Sequence, residues 1–282
     1  MLKRILVPLD SSEFTPAAVK LAAEMALAGQ KKAQEAVTIV GLALVDTDQL
    51  PTGRFASLVP REKVLKEAEK QAQELTAAFR TLAATRGMPA RRIEASWVAG
   101  SPFREIIRHG VFSDIIVMTR QCSFPPANQA YDTLNNLYHW ASRPVVICGD
   151  TYRPVKRVVM AMDGTAPASR MMYAYAHLNP FPKAKLRVVY SEEEESAYNL
   201  KGFFKNVQAY LKTYRLKAEL MGVSGNFQTA LSEVVREEKA GMLAMGIPVE
   251  HFMDKFRERL NFQEHPVQKM IGDTGASLFT VH

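Results

Sequence analysis

The 282-residue sequence predicts an α/β protein of two tandem doubly wound modules, each a five-stranded parallel sheet flanked by helices. The first observation is an internal repeat: KRILVPLD at Lys3–Asp10 matches KRVVMAMD at Lys156–Asp163 in its basic pair, apolar run and final aspartate. The second is that short continuous apolar runs alternate with helical patterns, as in strands covered on both faces. The third is the length, which suits two small domains, here residues 1–152 and 153–282.

In the first module, apolar periodicity and turn residues predict each element in order. After the first strand, Ser11 or Ser12 is expected to cap a helix whose apolar positions from Ala17 to Met25 follow the 3.6-residue period. The further strands are predicted at Val37–Val45, Ile93–Val98, Asp114–Thr119 and Pro144–Cys148. The helices between them are predicted at Arg61–Arg86, Pro102–His109 and Asn128–Ala141.

The second module repeats this order after a short link. The link reads GDTYRP, and because it is short and forms a turn we expect the modules to pack against each other. After the first strand, the further strands are predicted at Leu186–Tyr190, Ala218–Met221, Gly241–Met245 and Ser277–Val281. The helices are predicted at Ala168–Leu178, Glu195–Tyr214, Asn226–Glu238 and Glu250–Met270.

This arrangement places any ligand at one edge of each sheet. Right-handed crossovers put binding sites outside the carboxyl ends of the strands, at the switch point beside the first strand. Asp10 and Asp163 follow the first strand of their modules and lie at that point. Each aspartate is a candidate ligand contact, and the alternative is a turn or capping residue.

Composition and charge exclude several classes of protein. The formal charge of +7 is spread evenly, with 18 Lys and Arg against 15 Asp and Glu through Asp150 and 18 against 14 after it, so nucleic acid is not the expected partner. No apolar run suits a membrane span and the start does not read as a signal peptide, so we expect a cytoplasmic protein. Cys122 and Cys148 are too few for a disulfide framework or a zinc site.

The sequence contains no recognisable catalytic motif. The six histidines, at 109, 139, 177, 251, 265 and 282, have no metal-ligand spacing, and GxSxG, GxGxxG and GxxxxGK[ST] are missing. We therefore predict no enzyme activity and no metal. The acidic run Glu192–Glu195 is interpreted as a solvated loop before a helix. The aromatics Phe203, Phe204, Tyr210 and Tyr214 are interpreted as core, and Cys148 as packed core.

The repeated pattern of a first strand ending in Asp and a fourth strand ending in a loop with glycine resembles a tandem universal stress protein over nearly the whole chain. The resemblance implies an adenine-nucleotide hydrolase-like, or Rossmann-like, fold and ATP or another adenine nucleotide as the cofactor. In nucleotide-binding members the loop after the fourth strand reads Gly, two residues, Gly, nine residues, then Gly with Ser or Thr. These glycines let backbone amides close around a triphosphate.

In this chain the phosphate loop has largely lost that pattern. Aligned without gaps, its positions fall on Thr119, Cys122 and Asp132-Thr133 in the first module and on Gly246, Val249 and Arg259-Leu260 in the second. One glycine of six and one hydroxyl, that of Thr133, remain. Asp132 would repel a phosphate and Pro248 removes an amide, so a tight triphosphate site is not expected.

Other ligand positions of the family are retained. The resemblance implies adenine or ribose contacts at Asp10 and Asp163 and an adenine contact near Leu44, and Gly100 matches the family glycine after the third strand. Arg120 is a candidate phosphate contact, with a solvated surface arginine as the alternative. The candidate contacts are Asp10, Leu44, Gly100, Thr119, Arg120, Thr133, Asp163 and Gly246.

The resemblance implies a non-catalytic cytoplasmic stress-response protein that binds an adenine nucleotide or nucleoside at most weakly, in its first half. Its halves should pair as an internal pseudo-dimer through the fifth strands, PVVICGD and ASLFTVH, and the chain is expected to form a homodimer. Any other protein partners are unknown. One alternative is a protein-interaction module with both pockets closed. Another is an ATP-hydrolysing enzyme of the related α/β group, although Asp10-Ser11-Ser12 and Asp163-Gly164-Thr165 differ from the Ser-Gly-Gly type loop of those enzymes.

Overall fold

Valine, isoleucine, leucine and methionine dominate the strands, because such side chains pack well between two layers of helices. The computed structural model describes residues 1–28, 36–47, 61–120, 137, 140–193, 202–247 and 266–281. The elements of the first module are β1 Arg4–Leu9, α1 Thr15–Ala28, β2 Thr38–Asp46, α2 Arg61–Thr85, β3 Ile93–Gly100, α3 Pro102–Gly110, β4 Ile115–Thr119 and β5 Val145–Cys148.

The second module has the same succession of strands and helices. Its elements are β6 Arg157–Ala161, α4 Ala166–Leu178, β7 Lys185–Ser191, α5 Phe203–Thr213, β8 Ala218–Val223, α6 Phe227–Glu237, β9 Met242–Gly246, α7 Pro266–Thr274 and β10 Ser277–Val281. All ten predicted strands are present. Most of the predicted helix 128–141, and the starts of those predicted from 195 and 250, lie outside the described residues.

The strands form one ten-stranded sheet in the order β3-β2-β1-β4-β5-β10-β9-β6-β7-β8. Within each module all pairings are parallel and the order is third, second, first, fourth, fifth. The pairing register also repeats, because in each module the first residue of the first strand pairs with the first residue of the second strand. These pairs are Arg4 with Thr38 and Arg157 with Lys185. The predicted fold class, two doubly wound five-stranded modules, is therefore confirmed.

The two modules join through their fifth strands. β5 and β10 are antiparallel, with Val146 opposite Phe279 and Ile147 opposite Leu278. This is the pairing that the resemblance implied for PVVICGD and ASLFTVH. The pairing covers one edge of each module's five strands and leaves β3 and β8 as the outer strands of the ten-stranded sheet.

Helices cover both faces of the sheet and build two cores. Alternate residues of β1 point to opposite faces: Ile5 and Val7 pack with the layer of α1, α2, α4 and α5, whereas Leu6 packs with the layer of α3, α6 and α7. Tyr175 of α4 is fully buried against Phe279, with ring centroids 5.3 Å apart in an edge-to-face pair. Within the described ranges no helix is long and apolar enough to span a bilayer.

The aromatic residues of α5 pack into the core, as predicted. Phe204 is buried and stacks on Tyr190 with ring centroids 4.0 Å apart. Phe203, Tyr210 and Tyr214 are half-buried against the same core. Their helical spacing therefore reflects packing rather than a stacking platform for a ligand.

The link between the modules is tied to both of them. Glu24 of α1 accepts hydrogen bonds from the Tyr152 hydroxyl at 3.2 Å and from the backbone N–H of Val155 at 3.0 Å. Arg153 donates to the carbonyl of Thr274 at 3.1 Å. The modules thus pack directly against each other, as the short link predicts.

Candidate functional site

The switch point of the first module lies between β1 and β4. These strands are neighbours, yet α1 leaves β1 on one face of the sheet while α3 precedes β4 on the other. Asp10 directly follows β1 and Thr119 ends β4, and their exposures are only 6% and 3%. The structure therefore brings two predicted polar candidates to the carboxyl ends of adjacent strands.

Asp10 organises the turn that leads into α1. Its Oδ1 atom accepts hydrogen bonds from the Ser12 hydroxyl at 2.7 Å, from the Ser12 backbone N–H at 3.2 Å and from the Thr15 hydroxyl. The expected cap at Ser11 or Ser12 is wrong, because the helix begins only at Thr15 and the Ser12 hydroxyl points to the carboxylate. The interpretation of Asp10 as a turn residue thus has direct support.

Asp163 plays the same part in the second module. Its Oδ1 atom accepts from the backbone N–H of Thr165 at 2.9 Å and from its hydroxyl at 2.7 Å. Thr165 in turn caps α4 by accepting from the N–H of Ala168 at 3.4 Å. The repeated aspartate is therefore explained first by local turn geometry in both modules.

Leu44 and Gly100 lie on the neighbouring strands, and they have different roles. Leu9 pairs with Ala43, so half-buried Leu44 follows at the level of Asp10. Gly100 ends β3, where an added Cβ would lie 2.9 Å from Cγ of Glu105. Gly100 therefore makes room for a side chain of α3, a packing reason that the sequence did not reveal.

Glu105 is a buried acid near this edge that sequence reasoning missed. It is 6% exposed, and its Oε1 atom lies 3.2 Å from the guanidinium of Arg108. Its Oε2 atom has no hydrogen-bond partner among the described residues and lies 3.9 Å from Nε2 of His109. A charged residue on an amphipathic helix normally faces solvent, so the residue type of Glu105 gave no sign of burial. The one indication in the sequence was its position next to apolar Ile106 on α3.

Arg120 is held by an ion pair at the junction of the modules. Its guanidinium contacts the carboxylate of Asp150 twice, with Nη2–Oδ2 at 2.6 Å and Nε–Oδ1 at 3.3 Å. The Arg120 side chain is 14% exposed, and an added Cβ on Gly272 of α7 would lie 3.1 Å from its Nη1 atom. The predicted phosphate contact is thus engaged in a bidentate pair, not a solvated surface arginine.

The switch point of the second module is filled by backbone. A Cβ added to Gly246 would lie 2.5 Å from the carbonyl oxygen of Pro167, and the first turn of α4 contacts the end of β9 directly. Three residues separate Asp163 from Pro167, whereas five separate Asp10 from Pro16. The shorter turn draws α4 onto the strand end, so the one retained loop glycine serves packing there.

The acidic residues after β7 bind the end of the neighbouring strand. Glu192 accepts from the Ser224 hydroxyl at 2.8 Å, and Glu193 accepts from the backbone N–H of Gly225 at 2.6 Å. The hydrogen bond from Gly225 lowers the pKa of Glu193. Glu192 and Glu193 are exposed, as predicted for a solvated segment, and they also connect two strand ends.

Several predicted site residues lie outside the described residues: Cys122, Asp132, Thr133, Pro248, Val249, Arg259 and Leu260. Their roles stay predictions. Cys148 is 1% exposed, as predicted for packed core, and burial raises the pKa of its thiol to about 12. Among the described residues, no three His, Cys, Asp or Glu side chains are grouped so as to hold a metal ion.

Comparison with known proteins gives a likeness in structure alone. No protein-family model and no curated protein matches the chain. A universal stress protein from Archaeoglobus fulgidus DSM 4304 is similar at a TM-score of 0.68 and 14% identity, over 99% of this chain and 97% of that one. A putative universal stress protein from Pseudomonas aeruginosa UCBPP-PA14 is similar at a TM-score of 0.55 and 12% identity, over 99% and 93%.

Proposed function

We propose that this chain, which has the tandem universal stress protein fold over its whole length, is a non-catalytic cytoplasmic stress-response protein. Its first module binds an adenine nucleoside or nucleotide, at most weakly. The observation that carries this proposal is the asymmetry of the two switch points. In the second module the backbone of Pro167 occupies the end of β9, whereas the first module has a longer turn and Thr119 in place of Gly246.

The chemistry of the first site suits a nucleoside better than a triphosphate. Carboxylate and hydroxyl oxygens at Asp10 and Thr119 can bond ribose hydroxyls or an adenine amine, and Leu44 offers an apolar contact for the base. Arg120 is paired with Asp150, so its charge is already compensated. A triphosphate would therefore gain little electrostatic stabilisation from it.

The proposal that the protein is non-catalytic is supported by how Asp10 is used. Its Oδ1 atom accepts hydrogen bonds from the turn, and these hold the carboxylate in place. A general base must reach the proton that it removes. An oxygen already occupied by three local donors is poorly placed for that task.

Calorimetric titration of the full chain with adenosine, AMP and ATP tests the ligand and its site. We expect adenosine and AMP to bind at least as tightly as ATP. Asp10→Asn should weaken binding about tenfold, while the matched change Asp163→Asn leaves it unchanged. Equal weakening by both changes would overturn the assignment to the first module. Because Asp10→Asn can disturb the turn, Leu44→Trp provides a second variant that fills the same site.

The main rival is a protein-interaction module with both pockets closed. The Arg120–Asp150 pair and the contact of Gly246 with Pro167 favour it. Absence of binding to all three ligands, together with no nucleotide released from the denatured protein, would establish this rival. Magnesium-dependent ATP turnover that disappears in Asp10→Ala would instead indicate an enzyme.

The assembly that we propose is an internal pseudo-dimer that can form a homodimer. The antiparallel β5–β10 contact already pairs the modules within one chain, so it is occupied before any second chain binds. Further association would then use another surface. Sedimentation equilibrium over a range of concentrations tests this, and a single monomeric mass throughout would reject the homodimer.

A further inference from the structure

We propose that the cleft between the two modules binds a small organic anion with an apolar body, such as an aromatic or medium-chain carboxylate or sulfonate. The cleft has a volume of about 420 Å³. Pockets of about 300–1,000 Å³ are typical for small ligands. It lies where α1, α2 and α4 end and where β6 and β7 begin, at the edge opposite the switch points. The proposal is therefore independent of nucleotide binding.

The floor of the cleft is apolar and comes from both modules. Leu27 and Ala28 end α1, while Val155, Phe181 and Ala184 belong to the second module. Val155 and Phe181 are 5% and 3% exposed, so they form a fixed part of the wall. An apolar ligand body that packs on this floor would gain about 25 cal/mol of binding free energy for each Å² of apolar surface removed from water.

Three cations surround this floor: Arg86, Lys156 and Lys183. Arg86 donates to the Tyr152 hydroxyl at 3.1 Å and lies 5.0 Å from the centroid of that ring. In the part of the chain that the structure describes, the ammonium groups of Lys156 and Lys183 have neither a hydrogen bond nor an ion pair. Two lysines at a concave apolar surface are therefore available to an anion.

Among the described residues that line the cleft, Glu24 is the one acid, and it does not neutralise these cations. Both carboxylate oxygens of Glu24 are used, by the Tyr152 hydroxyl and the Val155 N–H. Over the lining residues that the structure describes, three positive charges against one negative charge leave a net charge of +2. The carbonyl ends of α1, α2 and α4 point to this edge and partly offset the charge, so the lysines can be accommodated here without a carboxylate partner.

Titration of the full chain with the fluorescent probe 1-anilinonaphthalene-8-sulfonate tests the proposal, since this probe has an aromatic body and one sulfonate. We expect saturable binding of one molecule per chain, displaced by decanoate. The double variant Lys156→Glu, Lys183→Glu should weaken binding at least about tenfold. Lys212→Glu is the matched control, because Lys212 is an exposed lysine of α5 outside the cleft.

A filling variant separates the cleft from general electrostatic attraction. Ala28→Trp leaves the charge unchanged but occupies the floor, so it should abolish probe binding while the circular dichroism spectrum stays the same. Asp10→Asn should leave probe binding intact, so failure of one site is distinguishable from failure of the other. Equal weakening by Lys212→Glu and the double variant, or full binding to Ala28→Trp, would overturn the proposal.

Discussion

Gly246 and Pro167 are in direct backbone contact, and this contact closes the switch point of the second module. Because the neighbouring atoms belong to the backbone at the start of α4, they cannot move as a side-chain end can. We expect Gly246→Ala to lower the free energy of unfolding by about 1–3 kcal/mol. Urea denaturation monitored by circular dichroism measures this change.

Gly100→Ala is the comparison for that variant. There the atoms nearest to the added methyl group belong to the side chain of Glu105, which can shift more easily than backbone atoms. Its loss of stability should be smaller than that of Gly246→Ala. Equal losses at the two glycines would mean that a clash with backbone atoms costs no more than a clash with a side chain.

The Arg120–Asp150 pair should stabilise the junction measurably. The Arg120 side chain is 14% exposed, whereas that of Asp150 is 35% exposed, so solvent screens part of the interaction. We expect Arg120→Met to cost about 1–2 kcal/mol, because it removes the bidentate contact with the Asp150 carboxylate. A double-mutant cycle with Asp150→Asn isolates the pairwise energy.

The exposed pair of Glu62 with Lys66 on α2 is the control for that cycle. Its side chains are 79% and 73% exposed and four residues apart. Its coupling energy should be about 0.3–0.5 kcal/mol. A coupling energy for Arg120 and Asp150 no larger than this would contradict the structural role of the bidentate pair.

Glu24 should make stability depend on pH. Burial raises the pKa of Glu24 above its usual value of 4.5, although the hydrogen bonds from Val155 and Tyr152 oppose the shift. The folded protein therefore holds this proton more tightly than the unfolded chain does. The stability that the bound proton contributes is complete below the pKa of Glu24 in the unfolded chain. It is lost as pH rises through the pKa of Glu24 in the folded protein.

Comparison with Glu24→Gln measures that contribution. The stability of the wild-type protein relative to Glu24→Gln should fall as pH rises from 4 to about 7, measured by urea denaturation at each pH. Glu67→Gln, a change at an exposed glutamate of α2, is the control. A difference between wild type and Glu24→Gln that is constant over this range would contradict the effect of burial.

Cys148 should not react in the folded protein. Its thiol is 1% exposed, and burial raises its pKa to about 12, so almost no thiolate is present at pH 8. In a Cys122→Ser variant, which retains only this cysteine, we expect no reaction with Ellman's reagent until urea is added. One thiol per chain should then react. Rapid labelling without urea would show that the β5–β10 junction opens.

Much of the fold could be predicted because it depends on local periodicity. Continuous apolar runs next to helical patterns indicate parallel strands, and the repeat of KRILVPLD in KRVVMAMD indicates a second copy of the module. The antiparallel β5–β10 contact was implied only by the resemblance. Strand partners across a module boundary leave no periodic signal in one sequence.

The ten strands, the two modules and the aspartate after each first strand could be predicted from residue patterns, since these features depend on neighbours along the chain. What the candidate residues contact became clear only from the folded chain. Arg120 meets Asp150 from 30 positions away, and Gly246 meets Pro167 through a turn only two residues shorter than its counterpart. Such contacts depend on how distant segments are placed relative to each other to within a few tenths of an ångström. Residue types and their spacing along the chain do not encode this placement.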